Sequence, residues 1–417
     1  MAAIYGSMSD SVIYDNKFGR LKIAIIFLVI ANVGGVARMF LPSNIIEVAT
    51  FLLCVPLLIN GYAQFSKKLL SIIIVVWLVI LLSAIATQTS VLEYKGLYLR
   101  TFLAYVIISV FRNNFSDISN AIYKVGKFIC VLGAINFLLA TFFPSIFVLS
   151  ATSDGSYEVN TIFYVFNWKS ELLFFKRNQC LFWEPGIFQI ILNLHLFLIL
   201  FERNEPIRKA IFPIALVLTT GSTTGYFIMF CLLAIKMIYK PNENRKSSRN
   251  SLFGRIFILI LLFSSFPLLR MNVENKFEGA ASKSAAMRTF DLLSGIQTIK
   301  NNPIFGIGFN AERYRNQTYD VDITQYYDNA GSFDLDRGNT NTIIYIFCAF
   351  GIPLALLFLF YLYKQCIYKK RALFIAIFLI CLFSEPLFNN TLMMLLFLSG
   401  LYSQHIDKFH TSSIKNR

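Results

Sequence analysis

Twelve separate runs of apolar residues follow one another along the 417-residue chain, and they decide what it can fold into. They are Lys22 to Leu41, Ile45 to Tyr62, Leu69 to Thr87, Leu97 to Phe111, Val125 to Phe147 and Trp183 to Phe201. The remaining six are Ala210 to Thr219, Thr223 to Tyr239, Leu252 to Leu269, Thr342 to Tyr363, Ala372 to Phe383 and Leu387 to Tyr402. A helix that crosses a bilayer needs about 20 apolar residues, because the hydrocarbon core is about 30 Å thick and offers bare backbone no hydrogen bonds. With 56% apolar and 15% charged residues, little is left over for a large soluble domain. Several runs are short, and the seventh and eighth can form one bent hairpin. The expectation is an all-α polytopic membrane protein of about twelve transmembrane helices.

A net charge of +15 invites a nucleic-acid reading, but its distribution argues otherwise. With the N-terminus inside, the cytoplasmic stretches hold 24 of the 38 Lys and Arg and 7 of the 23 Asp and Glu. That side carries +17 and the other −2, the bias expected of loops that stay in the cytoplasm. Basicity reports topology, with both termini cytoplasmic, and no nucleic-acid partner follows from it. The seven cysteines lie mostly in or beside apolar runs and form no close pair, so neither a disulfide framework nor a zinc site is indicated. Met1 to Arg20 is polar and lacks the apolar core of a cleaved signal peptide, so the first span is read as its own insertion signal.

Most connections are short, but Val148 to Phe182 and Arg270 to Asn341 on the outer side are long, and long ordered loops are usually functional. The chain therefore divides into helices 1–9 over residues 1–269, a large outer loop over 270–341, and helices 10–12 with a cytoplasmic tail over 342–417. Within the loop, Ser284 can cap a helix covering Ala285 to Ile299, with Met287, Phe290, Leu293 and Ile296 at spacing three. On another face Arg288 and Asp291 are close enough to pair. Pro303, Gly306 and Gly308 then impose a rigid turn. No internal repeat is visible, nor two matching halves with broken helices of the kind many transporters carry.

Five stretches carry a resemblance: Arg177 to Gly186 (RNQCLFWEPG), Leu218 to Gly225 (LTTGSTTG), Arg288 to Gly308, Gly338 to Pro353 (GNTNTIIYIFCAFGIP) and Ser384 to Asn390 (SEPLFNN). In these motifs, their order and their membrane placement, the chain resembles the bacterial O-antigen and capsular polysaccharide polymerases (Wzy-type) and the related O-antigen ligases. The resemblance implies a GT-C-like fold with one large periplasmic loop in the bacterial inner membrane. It implies a glycosyltransferase that polymerises polyprenyl-diphosphate-linked oligosaccharides at the periplasmic face. It implies no metal and no cofactor, and leaves a chain-length regulator as a further partner beside substrate and membrane lipid.

Such a reaction brings a diphosphate leaving group to the bilayer surface, and arginine suits it because guanidinium stays charged and offers a planar fork of donors. Arg177, just before the sixth run, and Arg288, in the large loop, are the candidates. The plainer alternative for both is an interfacial anchor. Arg313, Arg315 and Arg337 read as solvated loop residues, and Arg270 as an anchor.

The attacking hydroxyl must also lose a proton. Ligases of this resemblance carry a His just before the span that follows the loop. This chain has Gly338-Asn339-Thr340-Asn341 there, which favours a polymerase and leaves the base open. Glu184 leads, opening a helix as Trp183-Glu184-Pro185-Gly186, although a carboxylate there also suits the helix dipole. Glu385 stands in a similar Ser-Glu-Pro setting, and Asp291 can orient Arg288. Asn339, Asn341, Glu385 and Asp291 are the candidate substrate-binding residues.

Asp320-Val321-Asp322 and Asp334-Leu335-Asp336 have a metal-binding look, with a solvated loop as the commoner explanation. His195, inside the sixth run, reads as an interior hydrogen-bonding residue. In the Gly221 to Gly225 turn, Thr223 stands where the resemblance implies an Arg, so an anion role for that turn is open. Competing functions are a flippase or transporter, which would place ionisable groups near the midplane, and a ligase. Span interiors almost free of charge, with candidates at the outer rim, favour chemistry at the interface.

Overall fold

The computed structural model describes residues 18–41, 44–147, 149–150, 157–161, 164–167, 171–172, 175–238, 282–309, 312–314 and 339–415. Eleven of the twelve apolar runs fall on these residues and each carries a helix; Leu252 to Leu269 lies outside them. In chain order the helices are α1 (18–31), α2 (Ile45–Ile59), α3 (Lys67–Ala86), α4 (Lys95–Val110), α5 (Phe115–Phe142) and α6 (Pro185–Phe197). Then come α7 (Ile211–Thr219), α8 (Thr223–Ile238), α9 (Ser282–Asn301), α10 (Thr342–Tyr363), α11 (Arg371–Ser384) and α12 (Thr391–Lys415). Four of them are long and apolar enough to cross a membrane: α3, α5, α6 with its continuation to Glu202, and α10. Shorter apolar helices include α2, α8 and α11. The chain is a multi-pass membrane protein.

The spans differ in how they meet lipid. On α3, Leu69, Ile73, Ile80 and Ala84 are buried at helical spacing, while Leu70, Ile74, Val75, Leu78, Leu82 and Ile85 are exposed. A stripe that large would be costly in water and costs nothing against acyl chains. Helix α6 is the opposite case, with every residue from Pro185 to Phe197 buried. It is the central helix, packed by α5, α7, α8 and α11.

The body is helical, but the all-α expectation needs one correction. In the connection after α5, Leu149–Ser150, Tyr157–Thr161 and Tyr164–Asn167 form a three-stranded antiparallel sheet, and Glu171–Leu172 pairs with Phe175–Lys176. Tyr, Val, Phe and Thr dominate the longer strands, the aromatic and β-branched types that favour pleated backbone.

Helix α10 is broken, and the turn at 302–309 is the reason it can be. Pro353 has no N–H to give Ala349 O, and Gly351 leaves the helix at φ 73°, ψ 174°. Gly308 N–H donates to Ala349 O at 3.0 Å, and Ile307 N–H donates to Cys348 O at 2.8 Å. Ile352 N–H in turn donates to Pro303 O at 2.7 Å. The loop thus replaces the helix bonds that the break removes, as non-helical backbone within a membrane protein must. Gly306 and Gly308 hold φ of +69° and +72° to do so. Phe309 then packs among Tyr94, Tyr345, Phe350 and Phe388.

Helix α9 runs two residues beyond the expected end and lies along α10. Its inward face is not the apolar stripe. Phe290 is buried, but so are Asp291, Ser294, Gly295 and Thr298, while Ile296 is exposed. Small and polar residues face α10 because the two backbones approach closely: a Cβ on Gly295 would strike Ile344, and Cys348 Sγ–H donates to Gly295 O at 3.4 Å.

Candidate active site

The segment before α6 is fastened on both sides, and this places Arg177 and Glu184. Asn178 Nδ2 donates to Gly133 O and to Thr219 Oγ1, both at 3.0 Å, and its backbone N–H donates to Thr219 O at 3.0 Å. Further on, Val36 N–H donates to Leu181 O at 2.8 Å and Trp183 N–H to Gly34 O at 3.0 Å. Residues 177–183 are thereby clamped between α5, α7 and the exit of α1.

Arg177 lies across the α7–α8 turn. Its Nε donates to Thr220 O at 2.8 Å, and a Cβ on Gly221, itself at φ +60°, would come within 2.9 Å of that Nε. Burial pulls the guanidinium below its ordinary pKa; Tyr226, Glu184 and Glu385 oppose this, and Arg288 adds to it. It remains a cation, since arginine keeps its proton in proteins. The neighbours are the informative part. Two arginines and two glutamates, drawn from three distant stretches, share one field. The turn that lacks an Arg at Thr223 receives one from Arg177.

Glu184 is the N-cap residue of α6, with extended backbone and Pro185 in the first helical turn. Its carboxylate is exposed and makes no capping bond, so hydrogen-bonded capping does not explain it. Glu385 closes α11 and is buried. Its Oε1 accepts an ion pair from Arg288 Nη2 at 3.5 Å, and its carboxylate lies where a Cβ on Gly186 would fall. Gly186 is what allows Glu385 to reach the mouth of α6.

A polar network holds α9 so that Arg288 meets this mouth. Asp291 Oδ2 accepts from Thr340 N–H at 2.9 Å and from Thr340 Oγ1–H at 2.5 Å. Asn339 Nδ2 donates to Asp291 O at 2.8 Å and to Tyr314 Oη at 2.6 Å, and Asn339 Oδ1 accepts from Asn341 N–H at 2.6 Å. Asn341 Oδ1 caps α10 by accepting from Ile344 N–H at 3.1 Å. Thr342 Oγ1–H donates to Glu385 O at 2.6 Å, joining the start of α10 to the crossover that carries Glu385. Asp291, Asn339 and Asn341 are buried in this network, which gives each a structural duty.

Residues 210–359, from α7 through most of α10, match the family model described as O-antigen ligase (Wzy_C). That stretch is similar to the Wzy_C family. Its members are glycosyl-transferring membrane enzymes of polysaccharide assembly, ligases and polymerases. Neither a curated protein nor a solved structure matches the chain. The matched stretch contributes the Gly221 turn, Arg288, Asp291, Asn339 and Asn341 to the site, while Arg177, Glu184 and Glu385 come from either side of it.

Other candidates fall elsewhere. His195 is buried against Gly126, with its ring 5.2 Å from that of Tyr123, well down α6 from the mouth. Arg313 donates to Thr87 O. Arg270, Arg315, Arg337 and the two Asp-x-Asp pairs lie outside the described residues. Sequence reading missed Tyr226, whose hydroxyl donates to Leu218 O at 2.6 Å beneath Arg177. It also missed Glu47 and Arg100, charges near the N-terminal ends of two apolar runs, although an ionisable residue in such a run is itself a signal.

Proposed function

We propose that this protein is a polymerase that joins polyprenyl-diphosphate-linked oligosaccharide units into a long polysaccharide at the periplasmic face of a bacterial inner membrane. The reading assumes about twelve spans in a GT-C-like arrangement, with both termini cytoplasmic and residues 270–341 outside. The observation that carries it is the convergence of Arg177 and Arg288 with Glu184 and Glu385 at the mouth of the central helix.

The acceptor hydroxyl attacks the anomeric carbon of the donor sugar and forms the new glycosidic bond. The bond from that carbon to the lipid diphosphate breaks, and the diphosphate leaves with the electron pair. Arg177 and Arg288 take up its charge. Arg177 is held by the turn and Arg288, with a side chain 42% exposed, has room to leave Glu385 for phosphate. Glu184, exposed and without a capping bond, accepts the hydroxyl proton. Glu385 holds Arg288 ready between turnovers, and Asn339, Asn341 and Asp291 hold the loop while offering contacts to sugar.

A ligase reading has support from the description of the matched family. Against it stands the absence of a His before α10, where the sequence reads Gly338-Asn339-Thr340-Asn341.

Purified protein given a lipid-diphosphate-linked repeat unit should yield a ladder of polymers. Arg177→Ala and Arg288→Ala should abolish it, and Arg→Lys at either position should impair it, because a point charge does not reproduce a two-pronged phosphate contact. Glu184→Gln should lose roughly 10²-fold or more in rate. Normal ladders from both lysine variants would sink the phosphate role. A product appearing only on a lipid A core acceptor would make the protein a ligase.

A further inference from the structure

A second set of buried charges lies at the same outer end of the bundle. Glu47 stands in the first turn of α2 and Arg100 in the second turn of α4. Arg100 Nε and Nη2 both reach Glu47 Oε1, at 2.8 and 2.7 Å, and Arg100 Nη1 donates to Asn389 Oδ1 at 2.7 Å. Gly96 makes room for this, since a Cβ there would come within 2.6 Å of Arg100 Nη1. The two charged side chains are 5% and 0% exposed.

Two features exceed what a neutral structural pair requires. Glu47 Oε2 is buried and has no hydrogen-bond donor among the described residues, an expensive state for a carboxylate oxygen. Arg38, half-buried in the turn after α1, brings a second guanidinium within electrostatic reach of Arg100 and Glu47. Two cations therefore face one carboxylate, and that carboxylate still has an acceptor to offer.

The cluster is joined to the site already described. Asn389 and Glu385 are four residues apart on the same crossover between α11 and α12. Gly35, three residues before Arg38, is bridged to Phe182, two residues before Glu184.

We propose that Arg38, Glu47, Arg100 and Asn389 form a second binding site, which takes the glycosyl phosphate head of the acceptor lipid. A surplus guanidinium calls for an anion, and a bare carboxylate oxygen calls for an O–H donor. Neutral sugar supplies only the second and ionised phosphate only the first; a sugar diphosphate supplies both in one ligand. The assignment rests on the polymerase reading, in which two lipid-linked molecules are held at once: one at Arg177 and Arg288 as donor, the other here as acceptor. Arg38 is the residue to test, because it is half-exposed and outside the buried pair.

The experiment uses full-length protein in nanodiscs of zwitterionic lipid, with a pre-formed lipid-linked polymer as donor and a fluorescent lipid-diphosphate-linked single unit as acceptor. Binding of the single unit alone is measured in parallel. Arg38→Ala should raise the acceptor KM about tenfold or more and weaken single-unit binding to match, with the donor KM within about twofold. Arg38→Lys should fall between Arg38→Ala and the parent. Glu47→Gln should weaken binding of the single unit more than that of a lipid diphosphate without sugar. If the parent polymerises and Arg38→Ala leaves acceptor KM and binding unchanged, the second site is wrong and the polymerase reading stands. If the parent makes no polymer but binds the single unit through Arg38, the polymerase reading fails and the site survives as a glycolipid site. Displacement of the probe by added phosphatidylglycerol would assign the cluster to ordinary headgroups and overturn the proposal.

Discussion

Gly351→Ala tests whether the break in α10 holds the turn at 302–309 to the body. The native backbone at φ 73°, ψ 174° lies in a region open essentially to glycine, and a side chain there costs about 1–3 kcal/mol. A Cβ at this point would also strike the carbonyl of Ile304 and come within 2.8 Å of Phe305 N. Those are backbone atoms and cannot rotate aside, so segment 303–308 must back away. That endangers three hydrogen bonds, from Ile307, Gly308 and Ile352, each worth about 1 kcal/mol net. The combined loss is about 4–6 kcal/mol. It should appear as a melting point several degrees lower when buried thiols such as Cys348 are followed with a thiol-reactive fluorophore in detergent. Adding Pro353→Ala to Gly351→Ala restores an N–H for Ala349 O and allows an unbroken helix. The double variant should recover part of the melting point but not the polymerising activity, because the loop has lost its dock. A Gly351→Ala protein that melts within about 2 °C of the parent would refute the reasoning.

Three other outcomes follow from the same geometry. Gly186→Ala should displace the Glu385 carboxylate from Arg288 and cut polymer formation about tenfold or more while barely moving the melting point, since Ala also favours the helix by up to about 1 kcal/mol; unchanged ladders would remove Glu385 from the site. Asp291→Ala should strand both Thr340 donors, cost about 1.5–3 kcal/mol, and expose the α9 region to limited proteolysis, a susceptibility Asp291→Asn should show less. In cells, Leu92→Cys should react with a membrane-impermeant thiol reagent and Arg208→Cys only after permeabilisation; the reverse pattern would invert the topology.

What could be read from the chain alone divides along physical lines. Apolar runs of near-membrane length are a first-order signal, and eleven of them carry helices, although bounds shift by ten residues or more at α1, α5 and α12. The rigid turn at Pro303 to Gly308 was legible for a similar reason, because glycine at positive φ and proline act locally. The strands after α5 were hidden by their shortness, and among the described residues four helices are long and apolar enough to cross a membrane while several apolar runs fold as shorter helices. Helix α6, wholly protein-lined, tolerates Gln189, Asn193 and His195 where a lipid-facing helix would not. The inward face of α9 misled for the same reason. Spacing three in apolar residues marks a core stripe in water, but against another membrane-associated helix close approach is set by Gly295 and by the bonds that Asp291 accepts from Thr340 just before α10.

Pairings are the part no linear reading supplies. Arg288 and Asp291, three apart, invite a local pair; the structure also brings Glu385, nearly 100 residues away, to Arg288, and Thr340 to Asp291. The reason is that α9 packs on α10, whose first turn is bound through Thr342 to the Glu385 crossover, so a carboxylate from another helix pair is brought to Arg288. The same crossover delivers Asn389 to Arg100, and both of its ends therefore finish on a guanidinium. A motif such as Ser384 to Asn390 reads in sequence as a polar link between two spans. In space it is the bridge between two arginine sites, and a reaction that must hold two diphosphates side by side would need such a bridge to be short and stiff.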